Sequence, residues 1–139
     1  LHITEYVDRL VKEGRLHLKK SREKITYHDP CHLGKHMKVY DAPREVLKKV
    51  ATLVEMAHCR ENSMCCGAGG GVKSAFGETA TGIGETRMEE AKATGAKLVV
   101  TPCPFCKTNL ADSSKCMPVV DFAEYVARKI KKAPEPEKA

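Results

Sequence analysis

The chain has 139 residues, of which 42% are hydrophobic and 30% are charged, so it is long enough for one domain with a buried core. Its formal charge is +6, but Lys and Arg are interleaved with acids and aromatic residues make up only 5%, which argues against nucleic-acid binding. No apolar run approaches the roughly 18 residues of a membrane helix, and no secretion signal opens the chain. We therefore expect a cytoplasmic protein that would meet a membrane only through a partner.

Helical and extended segments alternate along the first half of the chain. Apolar residues at helical spacing from Ile3 to Val11 predict a helix that stops at Gly14, and Ile25 to Tyr27 predict a short strand. Pro43 fits the first turn of a second helix. The apolar stripe assigned to that helix is Val46, Leu47, Val50, Leu53, Val54 and Ala57. The segment just before Cys65 is a weaker strand candidate.

The second half of the chain continues this alternation. A helix is expected between Glu78 and Thr94, closed by Gly95, and residues Lys97 to Thr101 predict a strand. A short helix is expected from Pro104, and residues 118–120 lead as a strand into a last helix. The residues of that helix expected to face inward are Phe122, Ala123, Val126 and Ile130.

This order of elements predicts an α/β fold with a mainly parallel sheet flanked by helices. Residues 1–132 are expected to form a single domain, and residues 133–139, rich in Pro, Glu and Lys, a disordered tail. Because the chain begins at Leu1 rather than Met, we expect it to be a piece of a longer subunit.

The seven cysteines are the unusual part of the composition. Without an export signal, they point to metal or redox chemistry in a reducing compartment rather than to structural disulfides. Cys31, the pair Cys65-Cys66 and Cys103 each follow an expected strand. Because the carboxyl ends of parallel strands share one edge of a sheet, these sulfurs are expected to converge there.

The spacing of five cysteines favours a large sulfur-bound group. A CxxC such as Cys103 to Cys106 can place two sulfurs on one metal, whereas adjacent side chains such as Cys65 and Cys66 point apart in extended chain. With Cys31, five thiolates exceed the four of a closed zinc site and favour an iron–sulfur cluster. Two alternatives stay open: structural zinc at Cys31, one of the adjacent pair and the CxxC, and a metal-free dithiol at Cys103 and Cys106.

The glycine run from Gly67 to Gly71 fits an anionic inorganic group, because bare backbone can approach it and offer N–H donors. We predict that Gly67, Gly69 and Gly70 contribute to cofactor binding. A phosphate loop is the rival interpretation, but Val72 stands where both the Walker A and the dinucleotide patterns need glycine.

The remaining cysteines, histidines and methionines are expected to have structural roles. Cys59 and Cys116 are interpreted as small buried packing residues. His28 and His32 are expected to bond the loop backbone around Cys31, and His36 and His58 to lie on the surface. The methionines expected to fill the core are Met37, Met56, Met64, Met88 and Met117.

Three motifs in order resemble the cysteine-rich CCG domain of heterodisulfide reductase, as found in its B-type and D-type subunits, and of related iron–sulfur oxidoreductases. They are His28-Asp29-Pro30-Cys31-His32-Leu33-Gly34, Glu61-Asn62-Ser63-Met64-Cys65-Cys66-Gly67-Ala68-Gly69-Gly70-Gly71 and Thr101-Pro102-Cys103-Pro104-Phe105-Cys106. The resemblance extends from about Ile3 to Leu110. Two such domains usually share one polypeptide behind a ferredoxin-like segment, and this chain resembles the C-terminal copy.

The resemblance implies a non-cubane [4Fe–4S] cluster at which a disulfide is cleaved in two one-electron steps. The cluster ligands that it implies are Cys31, Cys65, Cys66, Cys103 and Cys106. Iron–sulfur subunits of some relatives, such as glycolate or glycerol-3-phosphate dehydrogenases, lack part of this set. The presence of all five favours the disulfide-reductase or sulfite-reduction branch, and an electron-transfer or zinc-binding CCG domain of another dehydrogenase is the alternative.

The resemblance also implies partners and a class of substrate. The partners are a ferredoxin-like iron–sulfur domain or subunit, a second CCG domain and, as in some relatives, a membrane haem subunit. The substrate is either a small disulfide, such as the coenzyme M–coenzyme B heterodisulfide of methanogenesis, or a protein-borne sulfur species.

Overall fold

Four parallel strands form the centre of the computed structural model, which describes residues 1–132. They are β1 (Lys24–Tyr27), β2 (Thr52–Leu53), β3 (Leu98–Thr101) and β4 (Val119–Asp121). Their order across the sheet is β2-β1-β3-β4, and every neighbouring pair is parallel. The predicted α/β fold with a parallel sheet is confirmed. The tail predicted at 133–139 lies outside the described residues.

Helices cover both faces of this sheet. In chain order they are α1 (Ile3–Lys12), α2 (Asp41–Val50), α3 (Val72–Ala75), α4 (Gly77–Ala93), α5 (Pro104–Ser113) and α6 (Phe122–Ala127). Shorter turns of π and 3-10 type lie at His32–His36, Arg60–Asn62 and Gly69–Gly71. Within the described part of the chain, no helix combines the length and apolar character needed to cross a membrane.

The period-two alternation of the strands divides the core into two halves. Val100 and Val120 point to the side where α1, α2 and α6 pack, together with the buried ring of Tyr27. Val99 and Val119 point to the other side, where residues of α4 and α5 pack. The sheet is therefore buried on both faces, as parallel sheets are.

The second helix ends earlier than its apolar stripe predicts. The expectation that Leu53, Val54 and Ala57 continue it was wrong, because α2 stops at Val50 and Ala51 is extended, with φ −155° and ψ 178°. The carbonyl of Val50 accepts hydrogen bonds from the backbone N–H of Ser21 at 2.9 Å and from its Oγ at 3.1 Å. These bonds replace the next helical turn, and the chain enters β2 instead.

The strand expected just before Cys65 was also wrong. That segment is a loop with one 3-10 turn, and the edge strand β2 lies further back along the chain, at Thr52–Leu53. Cys65 therefore reaches its place along a loop and not from the end of a strand.

The inward face of the last helix differs from the expected one at three positions. Phe122 and Val126 are buried as predicted, but Ala123 and Ile130 are exposed and Tyr125 is buried instead. The helix ends at Ala127, so Ile130 lies beyond it and forms an antiparallel bridge with Leu18.

The strand order creates a crevice between β1 and β3. The chain leaving β1 turns towards one edge of the sheet, and the chain leaving β3 turns towards the other. Open α/β sheets bind ligands at such a switch point, outside the carboxyl ends of the strands. The loop after β1 carries Cys31, and the loop after β3 carries Cys103.

Candidate metal centre

Five cysteines line one cavity at this switch point. The cavity has a volume of about 430 Å³, and sites for small molecules and cofactors span roughly 300–1,000 Å³. Its cysteines, Cys31, Cys65, Cys66, Cys103 and Cys106, come from three separate segments. All seven cysteines of the chain are free thiols. We call this space the cysteine cavity.

Burial differs among these sulfurs. Cys66 and Cys106 are buried at the base of the cavity, Cys31 and Cys103 are half-buried, and Cys65 is exposed. A second cavity of about 390 Å³ shares Cys103 and His32 with the first. The cysteine cavity is therefore closed at one side and open at the other.

A buried ion pair positions the loop that carries Cys31. The Arg44 guanidinium donates to both carboxylate oxygens of Asp29, at 2.8 and 2.7 Å, and also to Glu55 at 2.6 and 3.0 Å. Asp29 in turn accepts from the backbone N–H of Arg60 at 2.9 Å. These bonds connect the loop after β1 to α2 and to the loop that leads to Cys65.

The adjacent pair of cysteines depends on Gly67 and Asn109. Gly67 has a φ of +93°, and a Cβ there would lie 2.6 Å from the carbonyl oxygen of Ala80. Asn109 donates from Nδ2 to the carbonyl oxygens of Cys66 at 2.6 Å and Ala80 at 2.9 Å. The backbone N–H of Gly67 also donates to Cys65 Sγ at 3.2 Å. The loop is thus held against α4 and α5, with its sulfurs turned to the cavity.

The other glycines form the wall of the cavity. Gly69 and Gly70 line it as the sequence suggests, and Gly71 joins them, whereas Gly67 is not part of the lining. A Cβ at any of these three lining glycines would meet no described atom within 4 Å. Gly70 and Gly71 have positive φ values of 64° and 80°. The wall thus leaves room for a bulky group close to the backbone.

The thiols at the base of the cavity are electrostatically unequal. The Cys106 thiol, the nearby His28 ring and the backbone N–H of Ala68 favour the thiolate of Cys66 and lower its pKa to about 4. The Cys106 thiol and the backbone N–H groups of Cys106 and Phe105 lower the pKa of Cys103 to about 6. The neighbouring sulfurs of Cys103 and Cys66, together with burial, raise the pKa of Cys106. The cavity therefore already favours thiolate at two of its sulfurs.

His28 lies inside the protein and not against the loop backbone, so the role predicted for it was wrong. Its ring is fully buried, and burial lowers its pKa. Nδ1 accepts a hydrogen bond of 3.0 Å from Arg87 Nε. A ring nitrogen of His28 and the sulfurs of Cys66 and Cys106 lie within 4.8 Å of one another. His28 belongs to the base of the cavity.

His32, His36 and His58 lie on the surface. His32, expected to bond the loop backbone, is instead exposed and faces the His36 ring, with 5.4 Å between centroids. His36 and His58 are exposed as predicted. His58 bonds Glu90 through Nδ1 at 2.8 Å.

Two further expectations about packing were partly wrong. Cys59 is half-buried, but Cys116 is exposed and lies 2.9 Å from Ser114 Oγ. Met37 is 68% exposed and Met64 is half-buried, whereas the remaining methionines are buried in the core.

Sequence reasoning missed three polar residues that organise the site: Arg44, Arg87 and Asn109. All three are almost fully buried. Each sits on the apolar face of its helix, next to buried residues such as Leu47, Met88 and Leu110. A charged or amide side chain at a core position of a helix was the available signal, because such groups are buried only when they have partners.

The donor set fits an iron–sulfur cluster better than a single closed ion. Soft thiolate ligands suit iron–sulfur and zinc sites alike, but five sulfurs around a cavity of about 430 Å³ exceed what one tetrahedral ion can use. The residues that would hold the cluster are the five cysteines of the cavity, beside the glycine wall.

Comparison with known proteins agrees with this geometry. Residues 25–111 match the family of the CCG cysteine-rich domain. The chain is 44% identical to the D subunit of the dihydromethanophenazine:CoB–CoM heterodisulfide reductase of Methanosarcina mazei over 134 residues, 91% of the chain and 33% of that protein. It is 43% identical to the probable iron-sulfur-binding oxidoreductase FadF of Bacillus subtilis over 123 residues, 86% of the chain and 17% of that protein.

A third relative is named as a quinone oxidoreductase. The chain is 40% identical over 123 residues to the EtfAB:quinone oxidoreductase of Syntrophomonas wolfei, covering 82% of the chain and 17% of that protein. In these three relatives the chain therefore spans between 17% and 33% of the length. On the matched residues 25–111, which contain all five cysteines of the cavity, the chain belongs to the CCG cysteine-rich domain family.

Proposed function

We propose that this chain binds an iron–sulfur cluster of the non-cubane [4Fe–4S] type and forms the reaction site of an oxidoreductase that reduces a disulfide or a related sulfur substrate. The observation that carries the proposal is the convergence of five cysteines, from three segments, on one cavity with a glycine wall. The names of the relatives, which include a component of a heterodisulfide reductase and an iron-sulfur-binding oxidoreductase, support it.

The reaction requires two electrons and two protons to convert one disulfide into two thiols. When bound, the cluster supplies electrons one at a time. Cys66 and Cys106 close the base of the cavity against water, whereas the side near Cys65 is open for a substrate. The second cavity of about 390 Å³ adjoins the cysteine cavity at His32 and Cys103 and gives the substrate a mainly apolar approach.

The rest of the machinery belongs to other domains or subunits in this proposal. The chain matches only part of each relative, so a ferredoxin-like iron–sulfur segment and a second CCG domain complete the electron path. One relative, at 35% identity, carries the name of a probable membrane-anchored ferredoxin. Membrane association of this protein would accordingly be through such a partner, with a haem subunit as another candidate.

Anaerobic loading of the full chain with iron and sulfide tests the proposal. We expect a brown protein with about four iron and four sulfide per chain and an electron paramagnetic resonance signal. Cys65→Ser, in the cavity, should change the signal and lower iron content. Cys59→Ser is the matched control, because its half-buried thiol lies outside the cavity. A colourless protein with one tightly held zinc would instead establish a structural metal site.

A metal-free dithiol is the second candidate, and one observation favours it. Cys103 precedes α5, its pKa is lowered to about 6, and Cys106 lies within hydrogen-bonding distance. Reactive thiols of oxidoreductases occur in such surroundings. If the metal-free chain catalyses exchange with small disulfides and Cys66→Ser leaves the rate unchanged, this candidate replaces the cluster.

A further inference from the structure

The base of the cysteine cavity contains a buried histidine nitrogen, Nε2 of His28, that lacks a hydrogen-bond partner among the described residues. His28 is 0% exposed, and its Nε2 has no hydrogen-bond partner among residues 1–132. Its other ring nitrogen is occupied by Arg87. Since a buried polar atom without a partner is costly, the nearby sulfurs of Cys66 and Cys106 are the groups left to satisfy it.

Arg87 determines which ring nitrogen carries the proton. An arginine N–H can only donate, so the nitrogen that accepts from Arg87 Nε at 3.0 Å must be unprotonated. That nitrogen is Nδ1 of His28. The proton of the neutral ring is therefore on Nε2, which makes Nε2 a donor.

Each of the three nitrogens of the Arg87 guanidinium donates a hydrogen bond. Its Nη1 donates to the carbonyl oxygen of His58 at 2.8 Å and to Glu90 at 2.6 Å, and its Nη2 donates to Ser63 Oγ at 3.1 Å. The side chain is fully buried and paired with the Glu90 carboxylate. A group with this many partners does not rotate away easily, so the His28 tautomer is fixed by the fold.

We infer that His28 is a positioning residue of the metal centre that donates an Nε2–H hydrogen bond to the Cys66 sulfur and thereby raises the reduction potential of the cluster. The inference rests on the proposed function, because it takes Cys66 as a ligand. His28 is not a metal ligand itself. A ligating nitrogen needs a free lone pair, and on Nε2 that position is occupied by the proton.

The charge of the reduced cluster determines in which direction the hydrogen bond shifts the reduction potential. Reduction adds negative charge to the cluster and its thiolates, and a hydrogen bond to a ligating sulfur stabilises the more negative state. Removing the donor should therefore make reduction harder. One such bond corresponds to about a tenfold change in the reduction equilibrium, which is about 59 mV for one electron.

The tautomer can be tested on the full chain without any substitution. Long-range ¹H–¹⁵N correlation spectra of ¹⁵N-histidine protein distinguish a ring protonated at Nε2 from one protonated at Nδ1. We expect the Nε2–H form for His28, in the metal-free and the loaded chain alike. A ring protonated at Nδ1 would overturn the inference, whether or not a cluster binds.

Redox titration of the cluster-loaded chain tests whether His28 raises the reduction potential. His28→Phe removes the donor and should lower the midpoint potential by about 59 mV, a tenfold change for one electron. His28→Gln retains an oxygen to accept from Arg87 and an amide to donate to sulfur, and should restore most of the loss. His17→Gln replaces an exposed histidine outside the cavity and the Arg87–Glu90 network, and is the matched control with an unchanged potential.

The outcomes separate the inference from the proposed function. A wild-type chain that binds no cluster overturns the proposed function and the tuning role with it, whatever tautomer is found. A loaded chain whose potential is the same in wild type and His28→Phe overturns the inference alone. If His28→Phe does not fold, His28→Met, which also lacks the donor, is titrated in its place, and the wild-type tautomer tests the inference independently.

Discussion

Arg44 and Asp29 form a two-pronged ion pair inside the protein, with 1% and 2% of their side chains exposed. Asp29 stands two residues before Cys31, and Arg44 belongs to the second helix. The guanidinium also lies over the Tyr27 ring, at 4.9 Å from its centroid. The pair therefore fixes one wall of the cysteine cavity to the core beneath the sheet.

Arg44→Met should destabilise the metal-free chain by about 3–5 kcal/mol, because it leaves the Asp29 carboxylate buried without its partner. Urea unfolding followed by circular dichroism measures this. Lys48→Met on the same helix is the control: Lys48 is 57% exposed, its pair with Glu45 spans 3.5 Å, and its loss should cost less than about 0.5 kcal/mol. Equal effects of the two substitutions would refute the role given to the ion pair.

Gly67→Ala should lower the free energy of unfolding by more than about 2 kcal/mol, because it distorts the loop of the adjacent cysteines. The φ of Gly67 is +93°, and the new Cβ would lie 2.6 Å from the backbone oxygen of Ala80. Gly69→Ala is the matched control. Its Cβ meets no described atom within 4 Å and its φ is not in the left-handed region, so stability should hold while the methyl enters the cavity. Thermal unfolding of both metal-free variants compares their stabilities. Similar melting temperatures for the two variants would contradict the role given to Gly67.

The helices and strands that depend mainly on residues close in sequence were predicted correctly. The strands β1 and β3 follow from their apolar composition, and the end of the long helix α4 from the glycine that closes it, Gly95. Parallel strands then bring Cys31 and Cys103 to one edge. The convergence of these sulfurs in one cavity was therefore accessible from the sequence.

Distant contacts determined what the sequence did not predict. The end of α2 depends on Ser21, which lies 29 residues before Val50. The burial of Arg87 depends on His28, at a separation of 59 residues. No local period encodes such partners, so their positions follow only from the folded chain.

The metal-free chain should retain thiolate at unusually low pH. Because the folded pKa of Cys66 is lowered to about 4 and that of Cys103 to about 6, thiolate absorbance present at pH 7 should fall as the pH drops through 6 and then through 4. Cys66→Ser should abolish the lower step, and Cys116→Ser, outside the cavity, should preserve it. Ultraviolet difference titration under anaerobic conditions measures both, and a single transition near the ordinary thiol pKa of about 8.5 would be evidence against these shifts.

The amide of Asn109 joins α5 to α4 and to the loop of Cys66, so its replacement should affect the cysteines although their own side chains are unchanged. Asn109→Leu removes two bonds to the carbonyl oxygens of Cys66 and Ala80 and should cost about 1–3 kcal/mol. Asn109→Asp should cost more, because its carboxylate would face both carbonyl oxygens even though the Lys73 bond to Oδ1 could persist. Thr108→Val, exposed on the same helix, is the control with little effect.

Urea unfolding and iron content together distinguish the two consequences of losing the Asn109 amide. If the amide fixes the Cys66 backbone, both Asn109 variants should bind less iron than wild type even at temperatures where they remain folded. Loss of stability with full iron binding would restrict Asn109 to the packing of α4 against α5. Full stability with full iron binding would show that its two short hydrogen bonds contribute nothing to the site.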